Sequence, residues 1–230
     1  MLSSDLLQSS FQEFLNKEDA YKLQFTQNNY SFGFDGYSFL GQPDSTNQYP
    51  DDPLHSFVLS TETPIELFPK EFHEFLSRGF PEILKTISHL EGGWITEHFS
   101  KTEHRIYQEQ MGHMISCNYY PAGSKTHSLL STHKDVSFIT TFPFGNPPGL
   151  HTQKDQTFCS FDDTEHIFGF PGFFAEKITL GTQEATAHKV ETMDNKQDRF
   201  SFAFFSLPKS GATGSWGNTN SYFSEYLNLF

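Results

Sequence analysis

The hydrophobic period changes partway along the chain, and this change restricts the fold more than any other feature of the sequence. Up to about residue 111, apolar side chains recur at helical spacing, as in Phe72, Phe75, Leu76, Phe80, Ile83, Leu84, Ile87 and Leu90. From Gly112 onward the spacing shortens to two. Residues 113–120, 136–142, 157–161, 167–170, 185–190 and 200–207 are short β-favouring runs, separated by turn formers such as Pro121-Ala-Gly-Ser and Gly145-Asn-Pro-Pro-Gly. Many short strands within about 100 residues predict two sheets packed face to face, a sandwich or jelly roll.

The flanking segments read differently. Ser3 and Ser4 stand ahead of Asp5, Leu6, Leu7, Phe11 and Phe14, the pattern of a capped amphipathic helix. Residues 27–52, rich in Asn, Gly, Ser, Asp and Pro, are expected to be loop with one strand around 37–40. The helical stretch from Pro69 is expected to kink or divide at Pro81, which lacks a backbone donor, and to stop at Gly92-Gly93. Its stripe from Phe72 to Phe80 reads as core packing. Residues 222–229 suit a short outer helix. With 230 residues, no internal repeat and no linker-like stretch, one domain is expected over 1–230. It comprises a helical and irregular part (1–111), a β core (112–208) and a C-terminal segment (209–230).

Lys and Arg number 15 against 28 Asp and Glu, a formal charge of −13, so nucleic acid and anionic membrane surfaces are disfavoured as partners. No run approaches the ~18 apolar residues of a membrane helix, and residues 1–10 lack the basic start and apolar stretch of a secretion signal. A soluble, cytoplasmic protein is expected. Cys117 and Cys159 make no disulfide framework, and their strand-like neighbours predict two buried free thiols.

His133-Lys-Asp135 is the sharpest candidate for chemistry. On an extended chain, residues two apart share a face, so imidazole and carboxylate reach one metal ion. Chance supplies about 0.6 such pairs in a chain with 11 His, so the pair alone carries little. His188, in Ala185-Thr-Ala-His-Lys-Val, adds a second imidazole and completes a 2-His-1-carboxylate set of the kind that holds non-haem Fe(II) with open positions. A catalytic zinc site also keeps an open position, so the ligand count leaves the metal unnamed. Arg occurs only as Arg78, Arg105 and Arg199. Arg199 heads a period-two run with Ser201, Ala203 and Phe205, and its guanidinium and the Ser201 hydroxyl share a face suited to a carboxylate. His55, His73, His89, His98, His104, His113, His127 and His166 lack ligand-like partners in sequence and read as solvated or structurally satisfied.

These residues resemble the iron(II)/2-oxoglutarate-dependent oxygenase superfamily, in its isopenicillin N synthase-like branch. Asn118-Tyr-Tyr-Pro121 is similar to the strand and turn before the metal site, and His133-Lys-Asp-Val-Ser-Phe-Ile-Thr140 to the HxDxSxxT core. Pro148-Gly-Leu150 matches the Gly-Leu pair that opens a later strand, and His188-Lys-Val with Arg199-Phe-Ser201 matches the closing ligand and RxS clamp. The resemblance covers most of the chain from about Phe14 and is strongest from Asn118 to Pro208.

It implies a mainly β fold with N-terminal helices, the cupin-like jelly roll called a double-stranded β-helix. His133, Asp135 and His188 would bind the iron as the catalytic centre. Arg199, Ser201, Tyr120 and Asn118 would hold 2-oxoglutarate. The implied chemistry is oxidation, in the first place hydroxylation, of a small-molecule C–H bond, using Fe(II), 2-oxoglutarate as co-substrate, O2 and, as an auxiliary reductant, ascorbate. Retention of Asp135 disfavours the halogenase variation. Lys189 stands where Arg is common, Phe173 where Asp commonly follows Gly172, and His151 where Gln is common. The chain also begins near the middle of the family's usual N-terminal segment. These departures bear on the substrate pocket and its mouth. Two other readings stay open: an Fe(II) oxidase of the isopenicillin N synthase type that needs no 2-oxoglutarate, and a non-catalytic cupin-like metal- or ligand-binding protein. Substrate identity, the choice among hydroxylation, desaturation and cyclisation, and the oligomeric state are not legible.

Overall fold

A computed structural model of the chain describes residues 2–39, 53–123, 128–145, 148–161, 166–191 and 196–228. In chain order its elements are α1 (Leu2–Leu15), α2 (Asp19–Lys22), β1 (Gly36–Phe39), β2 (His55–Ser60), α3 (Phe80–His98), α4 (Lys101–Gln110) and β3 (Met111–Tyr120). There follow β4 (Ser128–His133), β5 (Ile139–Phe142), β6 (Leu150–Lys154), β7 (Thr157–Ser160), β8 (Phe168–Pro171), α5 (Phe173–Ile178), β9 (His188–Glu191) and β10 (Arg199–Pro208). The two-residue strands β11 (Thr213–Gly214) and β12 (Gly217–Asn218) lead into α6 (Thr219–Leu227). A larger antiparallel sheet has the order β1-β2-β3-β10-β5-β8, and a smaller one β4-β9-β6-β7. This is the expected jelly roll with N-terminal helices.

Strand alternation explains why β10 is almost uniformly apolar. Ala203, Phe205 and Leu207 point into one core with Met114, Tyr120, Phe138, Leu150 and Val190. Phe202 and Phe204, with Ile115, Cys117, Phe57 and Leu59, point into a second core against α1 and the residues around α3, where Leu7, Phe11, Phe14, Phe72, Phe75 and Ile87 are buried. The larger sheet is therefore covered on both faces, and its central strands alternate between two cores rather than between core and water. Inter-ring contacts such as Phe14 with Phe57 (4.9 Å, edge-on) knit the helical layer to the sheet.

Several local expectations are corrected. Gly92-Gly93 does not stop α3, which continues to His98. Buried Ile95 anchors the added turn, and Thr96 Oγ1 bonds the Gly92 carbonyl at 2.7 Å. Packing of the helix outweighs the modest glycine penalty. Pro81 does mark a division: a π-turn over Phe75–Gly79 precedes it, so it falls in the first turn of α3, where no donor is needed. Ser3 and Ser4 lie within α1, not ahead of it. Strand begins only at Ile139 and His188 in the runs expected from 136 and 185, and β2 and β4 were not anticipated. Cys117 is buried, but Cys159 is exposed, because β7 is the edge of the smaller sheet; both thiols are free. The strand around 37–40 and the C-terminal helix are present; Leu40, the rest of the expected loop to Asp52, His127 and Leu229 lie outside the described residues.

Glu91 of α3 is 3% exposed, and its carboxylate accepts bonds from Tyr107 (2.6 Å) and Thr141 (2.9 Å). Burial raises its pKa to about 7, and the hydroxyl donors only partly oppose this. The folded state thus holds the proton more tightly than the unfolded chain. The associated stability is complete below the ordinary value of 4.5 and is lost as pH rises towards 7. Glu91→Gln, which keeps the shape and removes the ionisation, is expected to be more stable than wild type by roughly 2–3 kcal/mol at pH 8 and no more stable at pH 4. Urea unfolding at the two pH values checks this. Asp35, fully buried and also raised to about 7, keeps part of the wild-type slope in the variant.

Candidate active site

The smaller sheet places two histidines opposite each other. His133 ends β4, His188 begins β9, and they are register partners. Each Nδ1 lies against a backbone carbonyl two residues upstream, His133 with Ser131 O at 2.8 Å and His188 with Thr186 O at 3.1 Å. With Nδ1–H donating there, both Nε2 lone pairs turn inward. Asp135 meets them: His133 Nε2 is 3.4 Å from Oδ1, and His188 Nε2 is 3.6 Å from Oδ2. One donor atom from each of the three lies within 4.8 Å of the others. Donors that share a metal at about 2.1 Å sit about 3 Å apart, so a small inward shift accommodates an ion.

The electrostatics suit a cation. All three side chains are buried, at 8%, 6% and 3% exposure for His133, Asp135 and His188. Burial pushes the Asp135 carboxyl up, but the two imidazoles and Thr140 outweigh it and hold the pKa down to about 2. Burial lowers His188 to about 4, with Asp135 opposing. Ionised acid and unprotonated imidazole are the forms that ligate metal. The donor chemistry therefore fits Fe(II).

Asp135 sits on a loop that is not strand, and little in the local sequence signals how it is held. Five successive carbonyls accept bonds from elsewhere. Tyr226 and Tyr222 hydroxyls of α6 donate to Lys134 O and Val136 O, while the backbone N–H groups of Phe173, Phe174 and Gly172 donate to Asp135 O, Ser137 O and Phe138 O. A Cβ at Gly172 would collide with Ser137, so this approach requires glycine. Thr140 Oγ1 donates to Asp135 Oδ2 at 2.6 Å and is itself bonded to Ser137 Oγ at 2.7 Å. Thr140 is the last residue of the HxDxSxxT core, which flagged it without its role. The tyrosines carry only the i, i+4 signal of a shared helix face.

The other four candidates form a block on two paired strands. In the β3–β10 register Arg199 faces Tyr120, and Ser201 faces Asn118. Arg199 Nη1 donates to Ser201 Oγ (3.0 Å) and Nε to Pro148 O (3.1 Å), and the guanidinium lies 5.0 Å from the Tyr120 ring centre. Burial lowers the Arg199 pKa, with Tyr120 opposing. A narrow cavity is lined by these four residues and by His133, Asp135 and His188. A second, wider cavity, about 150 Å³, opens on the other side of the cluster, towards β1 and β2. A larger opening of about 510 Å³ lies away from the cluster around Gln12, Lys22, Tyr119 and Asp198. Among the described residues His133, Asp135 and His188 alone group as metal donors. Of the departures, Lys189 and His151 both meet Glu191, and Phe173 stacks on Tyr222; none lines either cavity beside the cluster.

Comparison with known proteins points the same way. The chain matches a Shewanella oneidensis protein described as an oxygenase at 19% identity and a TM-score of 0.72, covering 98% of this chain and 86% of that one. A full-length Neurospora crassa protein in complex with alpha-KG matches at 15% identity and 0.76, covering 98% and 82%. The Arabidopsis thaliana dioxygenase for auxin oxidation 1, as its 2-oxoglutarate complex, matches at 13% and 0.72, covering 95% and 82%. These likenesses establish the fold. No curated protein matches. The model of the 2OG-Fe(II) oxygenase superfamily matches residues 111–208, so the span from β3 to β10, which carries every candidate residue above, is similar to that superfamily.

Proposed function

We propose that this single-domain protein is an Fe(II)- and 2-oxoglutarate-dependent dioxygenase of the isopenicillin N synthase-like kind, oxidising a small-molecule C–H bond with hydroxylation as the default outcome. The convergence of His133, Asp135 and His188 beside the Arg199–Ser201 pair carries this reading. Bound there, Fe(II) and 2-oxoglutarate would supply oxygen activation, with one atom of O2 ending in succinate, the lost carboxylate leaving as CO2, and the other atom available to the substrate.

The protein's contribution is positional. His133 and His188 present Nε2 because their Nδ1 atoms are engaged. Thr140 occupies Asp135 Oδ2 and leaves Oδ1 for the ion. Arg199 would neutralise the distal carboxylate of 2-oxoglutarate in low dielectric. Because Ser201 accepts from Arg199, its own hydroxyl hydrogen remains to donate to that carboxylate. Tyr120 holds the guanidinium plane, and Asn118 lines the cavity beside it. Burial excludes bulk water from the reacting centre.

The same Neurospora crassa protein, in complex with alpha-KG and thymine, supports a small-molecule substrate. No helix among the described residues is long and apolar enough to cross a membrane, and the free thiols suit the reducing cytoplasm we assign. Anaerobic addition of 2-oxoglutarate to the iron-loaded protein is the test, and a new visible charge-transfer band is the expected result. Iron binding without the band would favour the oxidase that needs no 2-oxoglutarate. Absence of oxygen uptake with Fe(II), 2-oxoglutarate and ascorbate across a metabolite panel would favour a binding protein.

A further inference from the structure

The wider cavity beside the metal cluster is built from strand faces whose chemistry restricts what enters. Its apolar wall comes from Leu54, Val58, Met114 and Phe205, and its polar side from Ser56, Ser116 and Asn118. No described lining residue is Lys or Arg. An anionic substrate would thus meet no Lys or Arg among the described lining residues, and the charge of the proposed Fe(II) is already balanced by Asp135 and 2-oxoglutarate, so desolvating the anion in a chain of net charge −13 would cost several kcal/mol by the usual charge-burial penalty. The polar side has a direction. Ser116 Oγ donates to Asn118 Oδ1 at 3.0 Å, so in the 3.1 Å contact between the two serines Ser56 is the donor. The relay engages both hydroxyl hydrogens and fixes the Asn118 carboxamide with its NH2 as the outward donor, at a residue that lines both cavities. The volume of about 150 Å³ is that of a cavity known to hold one benzene ring.

We infer that this cavity takes an uncharged molecule about the size of one six-membered ring, bearing a carbonyl-type acceptor that the Asn118 NH2 receives. The inference rests on the oxygenase reading, for which this is the substrate site. It is tested with benzamide, benzoate and 2-naphthamide as probes: the first two are nearly isosteric and differ in charge, and the third adds a ring. Binding is read by saturation-transfer NMR on the full chain loaded with Fe(II) and 2-oxoglutarate under argon. Benzamide is expected to bind at least about tenfold more tightly than either of the others. Val58→Trp, which fills the cavity, is expected to remove benzamide transfer while the 2-oxoglutarate band persists; should that variant misfold, Leu54→Trp at the cavity wall serves instead. Equal or tighter binding of benzoate or naphthamide, no transfer to benzamide in wild type, or undiminished transfer in the filled variant would overturn the inference. Loss of the band alone would count against the oxygenase reading, and the probe comparison would still decide the charge and size of the site because it needs no turnover.

Discussion

His188→Ala is expected to lower Fe(II) affinity by at least about 100-fold and to abolish 2-oxoglutarate-dependent oxygen uptake, and His133→Ala and Asp135→Ala to do the same. The expectation follows from geometry rather than from ligand identity alone. Each imidazole is fixed by its carbonyl contact and cannot swing to replace a missing neighbour. Among the described residues no fourth His, Cys, Asp or Glu groups with the three, so no substitute donor is at hand. Burial adds to the effect, since a cation in this site has little water to complete its shell. Thr140→Val, which removes the bond to Asp135 Oδ2 but no proposed ligand, is expected to cost about 10–100-fold in the same titration. Anaerobic Fe(II) titration, with circular dichroism to show that each variant is folded, provides the measurement. Iron affinity that survives all three ligand substitutions would place the metal elsewhere.

How much of this was legible in sequence depends on whether a residue's partner is local. His133 and Asp135 announce themselves by spacing, and Arg199 and Ser201 by alternation on one strand, because a strand's two-residue period fixes which side chains share a face. The loop around Asp135 is different. Its carbonyls are satisfied by Tyr222, Tyr226 and the start of α5, and no local pattern links residues so far apart in the chain. For the same reason Val136 to Phe138 read as strand: Val136 and Phe138 are apolar, all three residues are buried, and only the long-range bonds distinguish them from a ladder. Gly92-Gly93 misled in the opposite direction. Glycine stops a helix when the chain has somewhere else to go, and here Ile95 must still reach the core. Cys159 was placed inside because its neighbours favour strand, but strand propensity does not say whether the strand lies at an edge.

Arg199→Ala is expected to weaken 2-oxoglutarate by about 100- to 1,000-fold while leaving Fe(II) affinity within about threefold of wild type. Truncating one partner of a desolvated, hydrogen-bonded charge pair costs about 2–5 kcal/mol, and 1.4 kcal/mol is a factor of ten. The iron should be spared because Arg199 begins β10 in the larger sheet, whereas both histidines are paired in the smaller sheet. Arg199→Lys should recover only part of the loss. The ammonium restores the charge but not the planar fork, which in the native arrangement bonds Ser201 Oγ and Pro148 O together and lies against Tyr120. Ser201→Ala should cost less, about tenfold, since it removes one neutral donor. Titrating 2-oxoglutarate against the visible band of the iron-loaded variants gives these affinities directly. If Arg199→Ala bound 2-oxoglutarate as wild type does and instead lost affinity for the oxidised substrate, the guanidinium would belong to the substrate's own carboxylate, and the reading as an oxidase that needs no 2-oxoglutarate would replace the one proposed here.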